Sequence, residues 1–385
     1  MSYCVTNKPY DPVAFAQALM RRPSITPADH GALDVLQSAL TDLGFSCARY
    51  PFAEVDNLYA RLGEDGPNLC YAGHTDVVPV GDEAAWTVDP FAAEIKDGKL
   101  WGRGACDMKA SIAAFVAAVS NYLAAHGRPK GSISFLITGD EEGPAVNGTR
   151  KLLPAITEAG EVLSHAIVGE PTSEARFGDV VKNGRRGSLN GVVTATGRQG
   201  HAAYPEKSAN PVPVLVDFLA DIKGPLDSGA PGFQPTNLEV TSIDVANTAH
   251  NVIPAEASAR FNIRFNTNHQ GATLKSWLED KASEHARNGV DLALDLRVTG
   301  EAFYTEPGDF TDLISAAVNA EMGASPALTT GGGTSDARFI KDYCPVAELG
   351  LRNETAHKVD EHVDIADIEA LSRVFHRILV GYFAD

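Results

Sequence analysis

The 385-residue chain is long enough for two domains, and its 44% apolar content supplies a sizeable core. Its 32 basic against 50 acidic residues give a formal charge of −18, which repels phosphate backbones and anionic membranes, so neither nucleic acid nor a membrane is an expected partner. Apolar runs such as 112–119 fall well short of the roughly 20 residues a bilayer crossing needs, and the start MSYCVTNKPYDP lacks the charged and apolar regions of a secretory signal.

Five cysteines, Cys4, Cys47, Cys70, Cys106 and Cys344, are scattered without a CxxC pair. An odd count of this kind fits free thiols in a reducing, cytoplasmic setting better than a disulfide framework.

In chain order, Asp11-Pro12 predicts one helix start and Thr26-Pro27 another, the second ending near Gly44. Short buried strands are expected over 68–73 (NLCYAG), 131–138 (GSISFLIT) and 165–168 (HAIV), with an amphipathic helix over about 109–125. From about 187 to 299 the pattern becomes strand 188–196, helix 211–222, strands 238–245 and 257–265, helix 272–287 and strand 291–298. That order is βαββαβ, a ferredoxin-like split-βαβ sandwich. Afterwards the α/β signals resume with a helix near 312–321, a strand near 346–351 and a final helix over 365–382. The expected architecture is α/β: a mixed-sheet domain in two segments, 1–186 and 300–385, interrupted by a smaller inserted domain over 187–299.

In open α/β sheets ligands bind beyond the carboxyl ends of strands, so polar residues just after buried strands are the first to inspect. Four such places occur: His74-Thr75-Asp76, Asp107 in GRGACDMK, Asp140-Glu141-Glu142, and Glu170 in GEP. Two histidines and three carboxylates are able to hold a pair of Zn²⁺ ions when one carboxylate bridges, and His74, Asp107, Glu142, Glu170 and His357 supply that inventory. Residues two apart in extended chain point the same way, which places Asp76 behind His74. The adjacent glutamates Glu141 and Glu142 diverge, so one is free to ligate while its neighbour acts as a general base on a metal-held water. Taken singly, each has an ordinary reading: His-x-Asp as surface or core polarity, paired glutamates as a solvated face, Glu170 as turn chemistry, His357 as a loop histidine.

Longer strings decide between these readings. GHTDVVPVGDEAAW, DGKLWGRGACDMK, FLITGDEEGPAVNGT, VGEPT, NGRRGS, GRQGHAAYPEKSANP, NVIPAE, GGGTSDARF and NETAHKVDEHV resemble the zinc amidohydrolases that include aminoacylases, acetylornithine deacetylases and glutamate carboxypeptidases. The likeness runs in order along nearly the whole chain. DEEGPA followed by GT, with NGRRGS and GHAAYP, is most similar to the branch that hydrolyses N-succinyl-LL-2,6-diaminopimelate to succinate and LL-2,6-diaminopimelate. The resemblance implies a zinc-peptidase fold and two Zn²⁺ per subunit, replaceable by Co²⁺ or Mn²⁺. His74 and Glu170 would hold one ion, Glu142 and His357 the other, with Asp107 bridging, Glu141 as acid and base and Asp76 behind His74. It implies a homodimer through the inserted domain, with His201 reaching the other subunit's site to stabilise an oxyanion.

The basic cluster Lys182, Arg185 and Arg186 is where an anionic small-molecule substrate would be drawn in. A planar guanidinium matches a carboxylate bidentately, and Arg185 is the position favoured for the succinyl group, Arg186 having a structural alternative. Tyr204, Asn251 and Arg264 are further substrate candidates, each with a packing, turn or strand-edge alternative. Gly331 to Ser335 lack the strand–GK[ST]–helix setting of a phosphate cradle, and Cys106 is read as packing. Rival functions are an acetylornithine deacetylase-like or carboxypeptidase-like amidohydrolase, separable by acyl preference, and a non-catalytic metal-binding or ligand-sensing dimer, against which Glu141 and the full ligand set argue.

Overall fold

A computed structural model describes residues 9–64 and 66–384; Cys4 and the first eight residues of the start string lie outside the described residues. The chain forms two compact units, one of 1–183, 305–329 and 335–385, the other of 184–304 with 330–334.

The first unit is built on an eight-stranded mixed sheet in the order Ser46–Arg49, Leu58–Leu62, Ser132–Thr138, Asn68–His74, His165–Val168, Val346–Glu348, Val180–Lys182, Ala327–Thr329. Its middle is parallel: Asn68–His74 runs alongside both Ser132–Thr138 and His165–Val168, and Val346–Glu348 follows the latter. All carboxyl ends of these strands therefore open on one edge. Against the sheet lies Ala110–His126, an alanine-rich helix buried along most of its length, packed on Ile365–Tyr382 and Pro12–Met20. With the preceding turn, Ala105–His126 is long and apolar enough to cross a membrane by length and composition. Its window is 78% buried inside the protein, as an all-round apolar core helix must be. Tyr71 stacks on Phe115 at 4.4 Å, with Phe135 and Phe375 completing an aromatic cluster.

Local chemistry explains where expectation and structure part. Asp11 Oδ1 accepts the Val13 and Ala14 N–H groups and starts the first helix as predicted. Thr26-Pro27 starts none: Asp29 instead accepts from Gly31 and Leu33, and the helix is Ala32–Asp42. The strand expected over 346–351 stops at Glu348, because the next residues turn away to pair with the Glu170–Ser173 segment.

The second unit carries a five-stranded antiparallel sheet in the order Gly224–Pro225, Asn237–Asp244, Glu256–Phe265, Gly187–Thr196, Asp291–Gly300. Helices Pro211–Ile222 and Gly271–His285 cover its apolar face, whose core includes Leu189, Phe218, Phe261, Phe265 and Leu278. Alternation along Glu256–Phe265 buries Ala257, Ala259, Phe261, Ile263 and Phe265 and turns Glu256, Ser258, Arg260, Asn262 and Arg264 the other way. Compared with the expected 187–299, the unit gains Gly184–Arg185, paired with Phe303–Tyr304, and takes in Thr330–Thr334.

Candidate metal and hydrolytic site

Every candidate metal ligand lies in the first unit, near the carboxyl edge of the parallel strands. His74 ends its strand, Glu170 follows His165–Val168 by two residues, and the Asp140-Glu141-Glu142 turn follows Ser132–Thr138. Asp107 comes from the irregular turn leading into Ala110–His126, and His357 from the loop between Val346–Glu348 and His362–Asp364. Two close backbone approaches set these ends. A Cβ on Gly73 would stand 2.6 Å from Met108 Cε, and one on Gly169 would stand 1.9 Å from Tyr71 Oη. At Gly169 a side chain would displace the buried Tyr71 hydroxyl, whereas at Gly73 it would meet only the flexible end of Met108.

Among the described residues, two groups bring ligand atoms within 4.8 Å of one another: His74, Asp107 and Glu170, and Asp107, Glu142 and His357. Asp107 belongs to both. One of its oxygens is 3.1 Å from His74 Nε2 and the other 3.2 Å from His357 Nε2. Glu170 Oε1 is 3.7 Å from His74 Nε2, and Glu142 Oε1 is 2.9 Å from His357 Nε2. The His74 Nδ1–H donates to the Asp76 carbonyl at 2.9 Å, which leaves Nε2 as the nitrogen for a metal. Three carboxylates and two neutral imidazoles carry three negative charges around a shared aspartate, a set that two divalent cations fit in number, charge and ligand type. His357 is held at φ +62°, a left-handed conformation uncommon outside glycine.

Electrostatics within the cluster agree with that fit. Burial alone would raise the Asp107 carboxyl, but hydrogen bonds from His357 and His74 hold it well below the usual carboxylate range. Burial works against a charged His74, yet the Asp107 hydrogen bond and the surrounding carboxylates raise it well above its ordinary value. Hydrogen bonds to Asp107 and Glu142 raise His357 to about 10.

Glu141 follows a different logic. Burial, then the neighbouring Asp336 and Glu142 carboxylates, raise it to about 8, so it is poised to exchange protons near neutrality. Asp76 does more than stand behind His74. Its carbonyl makes the 2.9 Å contact, while its carboxylate, 3.7 Å from Nδ1, accepts the backbone N–H groups of Glu141 and Glu142 at 3.3 and 3.1 Å. Asp76 thus holds the two candidate glutamates as a pair, a contact that alternation along a strand does not reveal. Asp140, the turn's first acid, accepts from Ala145, Val146 and Asn147 and shapes the loop that follows.

The substrate candidates Arg185, His201, Tyr204, Asn251 and Arg264 lie in the second unit. Arg185 is buried and donates from Nη1 to the Gly333 carbonyl at 2.8 Å. Arg186 donates to Asn237 Oδ1 and has the structural role left open for it. His201 and Asn251 meet where Gly200–His201 pairs with Val252–Ile253, and both are exposed. The Ala203 N–H donates to His201 Nδ1 at 3.0 Å, so the neutral ring carries its proton on Nε2. Tyr204, 53% exposed, lies beside the His201 ring and under the Lys207 ammonium. Cys106 is fully buried and donates its thiol to the Arg352 carbonyl, and burial pushes its pKa well up, which makes it packing rather than a nucleophile.

The profile of peptidase family M20/M25/M40 matches residues 70–380. A protein of Maricaulis maris named succinyl-diaminopimelate desuccinylase is 58% identical over 386 residues, covering 99% of this chain and 98% of the relative. One of the same name from Caulobacter vibrioides is 58% identical over 377 residues, covering 97% and 96%. Among solved structures, an aminopeptidase from Bacillus cereus superposes with TM-score 0.76 at 20% identity, covering 96% of this chain and 97% of its own. A Bacillus subtilis dinuclear metal-binding peptidase of the M20 family gives 0.70 at 16%, covering 97% of each chain. These structures share the fold, and the sequence matches fix the membership: the chain belongs to peptidase family M20/M25/M40.

Proposed function

We propose that this chain is a metal-dependent amidohydrolase that converts N-succinyl-LL-2,6-diaminopimelate to succinate and LL-2,6-diaminopimelate, a step of diaminopimelate and lysine biosynthesis. The observation that carries the substrate is the 58% identity, over nearly the full length, to relatives named for that reaction. The site supports the chemistry through two ligand groups joined by Asp107, with Glu141 next to the ligand Glu142.

His74 and Glu170 would hold one ion and His357 and Glu142 the other, both through Asp107. The metals are read as two Zn²⁺, with Co²⁺ or Mn²⁺ able to substitute, since selectivity in imidazole and carboxylate sites rests on geometry and availability. Such ions, when bound, activate water and polarise a carbonyl oxygen. Glu141 takes the proton of the attacking water and returns it to the departing amine, tasks suited to a carboxyl raised toward neutrality. His201 donates from Nε2 to the developing oxyanion, and Arg185 receives the succinyl carboxylate with its planar fork. Tyr204, Asn251 and Arg264 serve the diaminopimelate portion. The reading includes a homodimer through the inserted unit, in which His201 serves the other copy. It also includes a cytoplasmic location, supported by the free thiols Cys47, Cys70, Cys106 and Cys344.

The test is release of succinate from N-succinyl-LL-2,6-diaminopimelate beside release of acetate from N-acetylornithine, with the metal-free chain and after two equivalents of zinc. Zinc-dependent desuccinylation with little deacetylation is expected. Cleavage of the acetyl compound alone would keep the site and overturn the substrate, and no cleavage of either would overturn the enzyme reading.

A further inference from the structure

Glu361 lies four residues beyond His357 and is completely buried, yet it is neither a ligand nor a base in the scheme above. Both of its oxygens are used. Oε1 accepts the backbone N–H groups of Cys106 at 2.8 Å and Asp107 at 3.2 Å. Oε2 accepts the Gly104 N–H at 3.1 Å and Arg103 Nη1 at 2.7 Å. The main chain of the same residue accepts the Gly102 N–H at 2.8 Å. One side chain therefore collects three successive-turn amides ending at the shared aspartate, while its own backbone carries the loop that delivers His357.

Arg103 extends the connection. Its guanidinium, also buried, donates to the Lys358 carbonyl on the His357 loop and to the Pro79 carbonyl, and lies 5.2 Å over the Trp86 ring. A buried carboxylate facing four N–H donors is stable only as an acceptor, so this pocket suits an anion and nothing isosteric that carries hydrogens.

We propose that Glu361 is a positioning residue that sets the spacing between Asp107 and His357 before any metal arrives, by binding the Asp107 turn with its carboxylate from the His357 loop. The inference rests on the metal-centre reading given above. It assigns pre-organisation of the second ligand group to a residue that never touches the ions.

Glu361→Gln tests it, because the amide NH₂ must face either the Cys106 and Asp107 amides or the Gly104 amide and Arg103, placing donor against donor. Calorimetric titration of the metal-free variant with Zn²⁺ should show affinity for one equivalent weakened by about 10–100-fold while the other stays closer to wild type. The Co²⁺-loaded variant should show altered ligand-field absorption, a signature that loss of fold stability alone does not move. A variant with two wild-type affinities and an unchanged Co²⁺ spectrum, even with a lowered Tm, would overturn the proposal. Should the variant not fold, amide hydrogen exchange of the wild-type chain decides. Protection of the Gly104, Cys106 and Asp107 amides already present without metal supports pre-organisation, and protection that arises only on adding Zn²⁺ overturns it. A wild-type chain that binds no metal at all overturns the metal-centre reading itself, and a metal-binding chain without desuccinylase activity leaves Glu361's role standing.

Discussion

Three candidate residues of the first unit and three of the second are held in opposite ways, although His357 is exposed in the first unit and Arg185 is buried in the second. His74, Asp107 and Glu170 are buried, and contacts such as those of Asp107 with His74 and His357 already fix them. His201, Tyr204 and Asn251 are exposed, and inside their own unit they are held by little more than a two-residue ladder and its turn. The lesson is one of division of labour. The buried candidate ligands are locked in by hydrogen bonds and core packing, whereas these exposed candidates for substrate contact are left uncommitted by the unit that carries them.

Three measurements would break or sharpen that contrast. The largest effect is expected for Glu141→Gln, which should lower kcat by about 10²–10⁴-fold while two equivalents of metal still bind. Near-normal turnover in that variant would remove Glu141 from the role of acid and base. His201→Ala should lower kcat by about 10²–10³-fold with wild-type metal affinity and unchanged thermal stability, since the ring is exposed. A loss of metal binding or of stability instead would mean that the second unit's residues are as structurally committed as the first's.

The smallest effect is a pH dependence confined to the buried cluster. Burial raises Asp76 to about 6, and burial with its carboxylate neighbours raises Glu141 to about 8. A raised carboxyl binds its proton more tightly in the folded chain, so stability falls as pH climbs through the window between the unfolded and folded values. The metal-free chain should therefore lose a few degrees of Tm between about pH 5 and about pH 7. Above that window His357, raised to about 10, continues the fall, and Lys109, lowered by burial to about 7, opposes it. Bound metal should flatten the slope by neutralising the carboxylates, and a metal-free Tm that rises across the same window would refute the charge arrangement.

Legibility from sequence followed the same division. The helices Pro211–Ile222 and Ile365–Tyr382 and the strand His165–Val168 lie on their predicted bounds, because capping residues or a dense apolar run mark them. The helix Thr149–Glu158 was missed since Pro154 sits inside it and Gly148 offers no side-chain cap. Strands of three residues, such as Val180–Lys182 and Ala327–Thr329, are too short to show a period and owe their conformation to the neighbours they pair with. The candidate ligands could be read because each follows a buried strand or lies in a long motif. Glu361 and the carboxylate of Asp76 could not, because they act through other residues' backbone amides, and no residue type advertises that.

The way the chain leaves and re-enters the first unit has an architectural consequence. Asn183 and Thr305 are neighbours there, the Thr305 N–H donating to the Asn183 carbonyl at 2.7 Å and Asn183 Nδ2 to the Thr305 carbonyl at 2.9 Å. In the other unit the next residues, Gly184–Arg185 and Phe303–Tyr304, run as an antiparallel pair. Apart from residues 330–334, which the second unit also takes in, the insertion is thus a cassette on a two-stranded stem. Cutting the stem and joining 183 to 305 by a tight turn would leave the larger unit's own connectivity intact, so this seam is the natural place to exchange, shorten or circularly rearrange the polypeptide.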